Sequence, residues 1–434
     1  MVSVICFLTI VVLLPLSLTR KRIYVVCGFY SVFALLTVMA GGGVPRLGPV
    51  TVYQAIYLIL AVSLSARFVH DRTFLFQARR WPLAPYIFLL VLLLVSALYS
   101  YSGAVFASEN SEGLWNRIVV FLLFWAAASH VHEANDLKIF AGATVAVSLI
   151  MSAWVIWNAA QFNFEALRGG IDVNHNYVSV FVLMGAIPLI NFVFEEQNNY
   201  LRLFCLPGLL LMVLASLILA SRGMIAATLV AFVLMAGRLF RKLGFKTMLS
   251  LCLAMILVLT LAMSLPGAGS FFARFQEDNL GTLNDRTLMW SHSLRYFADS
   301  GIAGMIFGHG LSSGRTILGP VLPDYANYHN EYLRWLMDQG VVGLIGLLVF
   351  LYSVARRVAS SGHRLKNVMI GWLAFLSVAG MTSTISDVHL FWIVLGIVVG
   401  AAPWAEEPGR FSQPTLQRLP RTSASVAQRG SALG

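Results

Sequence analysis

Charge is scarce in this sequence: only 11% of its 434 residues are Asp, Glu, Lys or Arg, against about a quarter in a soluble globular domain. So thin a supply cannot cover a water-facing surface. With 58% hydrophobic residues and a mean hydropathy of +0.78, a soluble enzyme and a disordered chain are both excluded. Cysteine is scarce too. Cys6, Cys27, Cys205 and Cys252 all fall inside apolar runs, which excludes a disulfide scaffold and a thiolate metal site and leaves each as a small apolar side chain. Acids are outnumbered by bases, 19 against 30 Lys and Arg. The resulting net charge of +11 would point to nucleic acid in a soluble protein. Here it is read as membrane topology, and no nucleic-acid partner is expected.

What the chain has in abundance is long apolar runs. They lie near 2–19, 23–41, 50–66, 84–104, 117–131, 139–160, 177–194, 203–220, 224–237, 247–265, 332–354, 367–385 and 389–404. Many approach the roughly 20 residues that cross about 30 Å of hydrocarbon. The expected fold is an all-α polytopic membrane protein of 12–13 transmembrane helices, the first two runs being separated only by Arg20-Lys21-Arg22. The first run has no basic stretch before it and no small-residue cleavage site after it, so it is expected to be a retained segment.

Alternate loops divide the basic residues unequally. One set, including Arg20 to Arg22, Arg79, Arg80, Lys138, Arg202, Lys242, Lys366 and the tail arginines, holds 21 of the 30. Arg46, Arg117, Arg168, Arg222, Arg274, Arg286, Arg295, Arg315 and Arg334 make up the other nine. The richer side is assigned to the cytoplasm. Four segments follow: helices with short loops over 1–265, one large outer loop over 266–330, helices over 331–404, and a Ser/Arg/Gln/Pro/Gly-rich tail over 405–434 read as disordered.

Polar residues collect in and around the large loop. Residues 287–299 alternate as an amphipathic helix would. Arg222, in Ser221-Arg222-Gly223, lies in a break of a few residues between apolar runs. It either snorkels to headgroups or forms an anion site, with Gly223 letting a bulky group approach. Arg168, beside Gly169-Gly170, has similar chemistry. Arg286 stands four residues before Trp290, on one helix face, and either pairs with a neighbouring acid such as Asp285 or faces a ligand. His329 sits where the loop enters the next run, with Asn327 or Asn330 as candidate cap and Glu331 in the first turn. Close to fixed arginines its pKa would fall, which suits a base; contact with headgroups is the structural alternative. Within that run, Gly340 and Gly343 would allow close helix packing. His70, His130, His132 and His363 are expected to be solvated on the cytoplasmic side, and His292, His309 and His389 show no clear partner. No outer-face spacing of His and acids suits a divalent metal. No strand is followed by a phosphate-cradling glycine loop, so ATP-driven chemistry is not expected.

His329-Asn330, nine residues, then Gly340-Val341-Val342-Gly343 resembles a known signature, His-[Asn/Ser/Gln]-x9-Gly-x-x-[Gly/Tyr/Thr]. It belongs to the O-antigen ligase and polymerase superfamily of bacterial inner membranes. Ser221-Arg222-Gly223 ahead of the loop, Arg286 and Trp290 within it, and the Gly308-His309-Gly310 turn add to the likeness, which is specific from about 165 to 350 and topological elsewhere.

The resemblance implies about twelve spans with one large periplasmic loop. It also implies a glycosyltransferase moving polysaccharide from undecaprenyl pyrophosphate to a sugar hydroxyl of lipid A–core, with inversion and without metal or other cofactor. Arg222, Arg286 and His329 become the expected catalytic residues, and Arg168, Arg274, Asn330 and Trp290 the expected substrate contacts. Arg274 competes with Arg286 for the same role. The expected partners are the lipid-linked O-antigen, lipid A–core and membrane lipids. A polymerase extending repeat units on the carrier, a protein-directed enzyme and a lipid-linked glycan flippase are the alternatives. A flippase would show internal repeats and polar residues at mid-membrane, and neither is evident.

Overall fold

The computed structural model describes residues 23–39, 46–47, 50–51, 59, 62–63, 86–87, 91, 107–162, 175–195, 199–219, 221–239, 260, 286–311, 313–322, 327–384 and 389–404. Twelve helices fall within them: α1 (Ile23–Met39), α2 (Ala107–Ser129), α3 (Ala134–Gln161), α4 (His175–Glu195), α5 (Asn199–Leu219), α6 (Arg222–Leu239), α7 (Arg286–Asp299), α8 (Gly301–Phe307), α9 (Gly314–Leu318), α10 (Glu331–Ser360), α11 (Lys366–Thr382) and α12 (His389–Ala401). One short antiparallel pair, β1 (Arg46–Leu47) with β2 (Val50–Thr51), is the sole departure from an all-α fold among the described residues. The expected retained first segment, the basic tail, and most of the runs at 50–66, 84–104 and 247–265 lie outside them.

The helices follow the apolar runs, and some overshoot them. Thus α10 extends the run 332–354 to Glu331–Ser360, and α2 begins at Ala107, ten residues ahead of its run. Capping and first-turn polar residues belong to a helix without belonging to its apolar stretch. Among the described helices α3, α4 and α10 are long and apolar enough to cross a membrane. Cys27 is buried and Cys205 partly so, both as free thiols.

Within such a bundle close packing and internal satisfaction of backbone groups hold the helices together. α11 lies along α6, α12 along α2, and α3, α4 and α5 pack on one another. Gly396 and Gly400, one turn apart, bring α12 onto the Phe124 and Ala128 carbonyls of α2, where any side chain would collide. Pro188 in α4 cannot donate to the Met184 carbonyl one turn earlier, and the buried Trp372 indole of α11 donates to that carbonyl instead, at 2.9 Å. Ser148 of α3 donates to the Phe181 carbonyl and accepts from Gly185 N–H, so the α3–α4 contact is hydrogen-bonded as well as packed.

The helix termini sort into two ends. At one, His363 contacts the Ala134 carbonyl and Gly400 meets Ala128. At the other, Ser221 donates to Asn176, Gly223 meets Thr382, and Asn327 donates to Thr384. Alternating up and down helices produce this sorting. It places Lys138 and Lys366 at the first end and Arg222 and His329 at the second.

Candidate active site

The second end is built from helix N-termini. Asn330 caps α10, its side chain accepting from Leu333 N–H at 3.0 Å, with Glu331 in the first turn, as expected. Arg222 is the first residue of α6, and Arg286 opens the described part of α7. Neither helix has an acid in its first turn. A guanidinium at the positive end of a helix dipole is placed against the local field. The two fields reinforce each other only toward an anion.

Three contacts bring these termini together. Gly223 abuts Thr382 at the end of α11, and Thr384, just beyond it, accepts from Asn327 at 2.7 Å, two residues ahead of His329. This links Arg222 to His329 through α11. From the loop, the Trp290 indole donates to the Tyr328 carbonyl at 2.9 Å. The Arg286 charge reaches His329 directly, and after burial it is the second cause that holds the His329 pKa below its ordinary value. A neutral imidazole results, the form that accepts a proton. Arg286 is placed beside the histidine; Arg274 and Arg168 lie outside the described residues.

His329 has a backbone φ of 49°, the left-handed region, and is the one non-glycine residue among those described that adopts it. Side chains pay for that conformation, and it persists where the surroundings enforce it. Asn327 Oδ1 accepts from His329 N–H at 3.4 Å on one side and Asn330 is committed to its cap on the other.

The loop is seated on α10 by a break in that helix. Gly340 takes φ 70° and ψ −169°, leaving the helical region. The carbonyls of Met337 and Asp338 then face the loop and accept from His309 N–H (2.8 Å) and Gly310 N–H (3.0 Å). A Cβ at Gly340 would strike the Ile306 carbonyl, and one at Gly308 would strike the backbone of Gln339 and Gly340. Signature glycine Gly340 and the turn glycine Gly308 are both small because the backbone of the facing segment, Ile306–Phe307 for one and Asp338–Gly340 for the other, occupies the space of a Cβ. Beneath the turn Met289, Ile317, Leu318, Tyr328, Leu333 and Met337 form a small core separate from that of the bundle.

Several expectations need correction. Gly340 serves a helix break that receives a loop, not helix-to-helix packing. The space beside Gly223 is taken by Thr382 and does not admit a substrate group. Trp290 and Asn330, the expected substrate contacts, are not contradicted: the Trp290 indole N–H is given to the Tyr328 carbonyl and the Asn330 carbonyl oxygen to the α10 cap, so each also holds the site together. His130 and His363, expected to be solvated, are buried. His130 donates from Nδ1 to the Ala126 carbonyl (2.6 Å) and accepts from Ser63 (2.7 Å). His363 accepts from Leu365 N–H and donates to the Ala134 carbonyl. His292 also has a partner, the Ile317 carbonyl. The participants not anticipated are Asn176, Thr382, Thr384, Ser313 and Tyr328. An acid at Asp338 inside an apolar run was the signal available, since such a charge persists only with partners.

Apolar helices of membrane-crossing length, with a loop-capped cationic end around a neutral histidine, define a membrane protein whose site suits an anionic substrate. Residues 207–348 match the family model described as O-antigen ligase, a stretch that contains Arg222, Arg286, His329 and Gly340. Together with the signature residues, the match supports the O-antigen ligase superfamily for this chain. No curated protein matches the chain.

Proposed function

We infer that the protein is an O-antigen ligase, a glycosyltransferase of the bacterial inner membrane that works on the periplasmic face. It moves a polysaccharide from undecaprenyl pyrophosphate to a sugar hydroxyl of lipid A–core. The observation that carries this reading is Arg286 beside a histidine whose pKa is lowered, with Arg222 on the first residue of another helix at the same end of the bundle, within a segment matching the ligase family.

The chemistry follows from the charges. As the anomeric C–O bond to pyrophosphate breaks, negative charge grows on the leaving group. Fixed cations aimed at that charge lower the barrier without reorganising. Arg222 and Arg286 supply it bidentately. The acceptor hydroxyl loses its proton to His329 as its oxygen forms the new bond from the opposite face, which inverts the anomeric carbon. Arg168 and Arg274 remain candidates for further phosphate contacts. Both substrates are lipids, which accounts for a site at the ends of membrane helices. The twelve-span topology and the outward orientation of the site belong to the same reading.

The test is glycan transfer in detergent, with purified protein, undecaprenyl-pyrophosphate-linked O-antigen and lipid A–core. A ladder on lipid A–core is the expected product. Longer chains still on the carrier would identify a polymerase. Absence of any product from competent substrates would point to a flippase, which has nothing to do without a membrane.

A further inference from the structure

Asp338 is 1% exposed, and its carboxylate is fully engaged. One oxygen accepts from Ser313 N–H (3.2 Å) and Ser313 O–H (2.8 Å); the other accepts from Arg334 Nε–H at 3.4 Å. A carboxylate only accepts, so the single Ser313 proton is committed to it. The Tyr328 hydroxyl, 3.0 Å from Ser313 Oγ, must then be the donor of that pair. Tyr328 is also 1% exposed, and its carbonyl is held by the Trp290 indole. It is the residue immediately before His329. A directed chain therefore runs from Asp338 through Ser313 to Tyr328, and it ends on the backbone that must keep His329 in the left-handed region.

We propose that Asp338, Ser313 and Tyr328 act as positioning residues, a hydrogen-bond relay that sets the conformation of His329 and so the aim of its imidazole. The proposal rests on the ligase reading only for what the imidazole does; the relay itself stands on geometry. Asp338 is suited to the role because the same residue's carbonyl receives Gly310 N–H from the loop. One residue thus ties the loop turn, the broken helix and the approach to the histidine together. Networks of this kind lose their effect as a unit, so removal of any member should cost about as much as removal of all.

The experiment compares wild type with Tyr328→Phe, Ser313→Ala, their double variant, Asp338→Asn and Asp338→Ala. Tyr328→Phe keeps the ring and removes only the donor. Glycan transfer is expected to lose about tenfold or more in kcat with KM for either substrate unchanged, since a misaimed group costs turnover and not binding. The double variant should be no slower than the slower single one, and Asp338→Asn, which keeps an acceptor for Ser313, should be milder than Asp338→Ala. A second readout needs no substrate: the rate of diethyl pyrocarbonate acylation at His329, followed by mass spectrometry with His292 as internal reference. It should change several-fold at His329 in each variant and not at His292. Unchanged kcat together with unchanged His329 acylation overturns the relay, as does independent, multiplying loss in the double variant. If wild type transfers no glycan, the ligase reading fails and the acylation rates still decide the relay.

Discussion

Histidines at opposite ends of the same bundle live in opposite circumstances. At one end His130 and His363 are buried, and both nitrogens of each are matched to helix-terminal groups or to Ser63. They satisfy the buried Ser63 hydroxyl and the Leu365 N–H at the start of α11, which would otherwise be left orphaned. At the other end His329 sits in a left-handed backbone beside a guanidinium that depresses its basicity. The first pair is placed by what it satisfies. The second is placed against strain and like charge, which a protein tolerates where function requires it. Burial of a histidine is thus no guide to its role; the cost of its surroundings is.

The largest expected effect tests that contrast head on. His329→Ala should lower transfer by about 10²-fold or more, the range lost with a general base. Arg222→Ala should cost a comparable factor by removing charge stabilisation of the leaving group. His363→Gln should leave transfer per folded molecule near wild type. Purified variants, sized for integrity and assayed for product, decide it. Full activity in either site variant would remove that residue from the mechanism.

Arg286 sharpens the comparison through pH. It lowers the His329 pKa, so the acid limb of the kcat–pH profile should lie below the ordinary histidine value of 6.5. Arg286→Ala removes one of the two causes and should move that limb upward while also slowing transfer. A limb that stays in place would mean another group titrates. Stability carries the same sign. His329 and His309 both bind their proton more weakly folded than unfolded. The fold therefore keeps its full stability above 6.5 and loses it as pH falls through the lowered values.

The legible and illegible parts of this protein divide by sequence distance. The α10 cap at Asn330, the helix following Arg286 and the depressed basicity of His329 were all readable, because cap, period and neighbouring charge are local or nearly so. The break at Gly340 was not. Apolar residues continue through it from 332 to 354, so the pattern runs on as one helix, and only the returning loop explains why the backbone leaves it. Beyond their local partners at Ala126 and Leu365, His130 and His363 meet groups 67 and 229 residues away, in Ser63 and Ala134. No local pattern announces them, and solvation was the natural expectation for a histidine near basic loops. Thr382 was illegible for the same reason; it fills the space that Gly223 seemed to leave open.

Smaller effects follow from the seams of the fold. Gly340→Ala puts a Cβ against the Ile306 carbonyl in a left-handed position, and about 1–3 kcal/mol of strain is expected. The loop should undock, seen as faster proteolysis between residues 286 and 322 and as lost transfer. His130→Ala and His363→Ala should each cost about 1–3 kcal/mol by stranding buried partners. They should lower the melting temperature and spare transfer per folded molecule. Equal protease resistance in Gly340→Ala and wild type would separate the break from loop docking.

The smallest expected effect is none at all, and it bears on how the charged end works. If Arg222 and Arg286 meet the leaving pyrophosphate, the charge that a divalent ion would neutralise is already answered by guanidinium groups, which stay protonated at any working pH. Chelation should then leave the rate of transfer unchanged, measured in detergent with EDTA against an untreated control. Arg222→Ala should also not be rescued by added Mg²⁺ or Mn²⁺, since a lost side chain leaves no ligand set behind. Loss of activity on chelation, restored by either ion, would show that the two helix-terminal arginines are not the cations that carry the step.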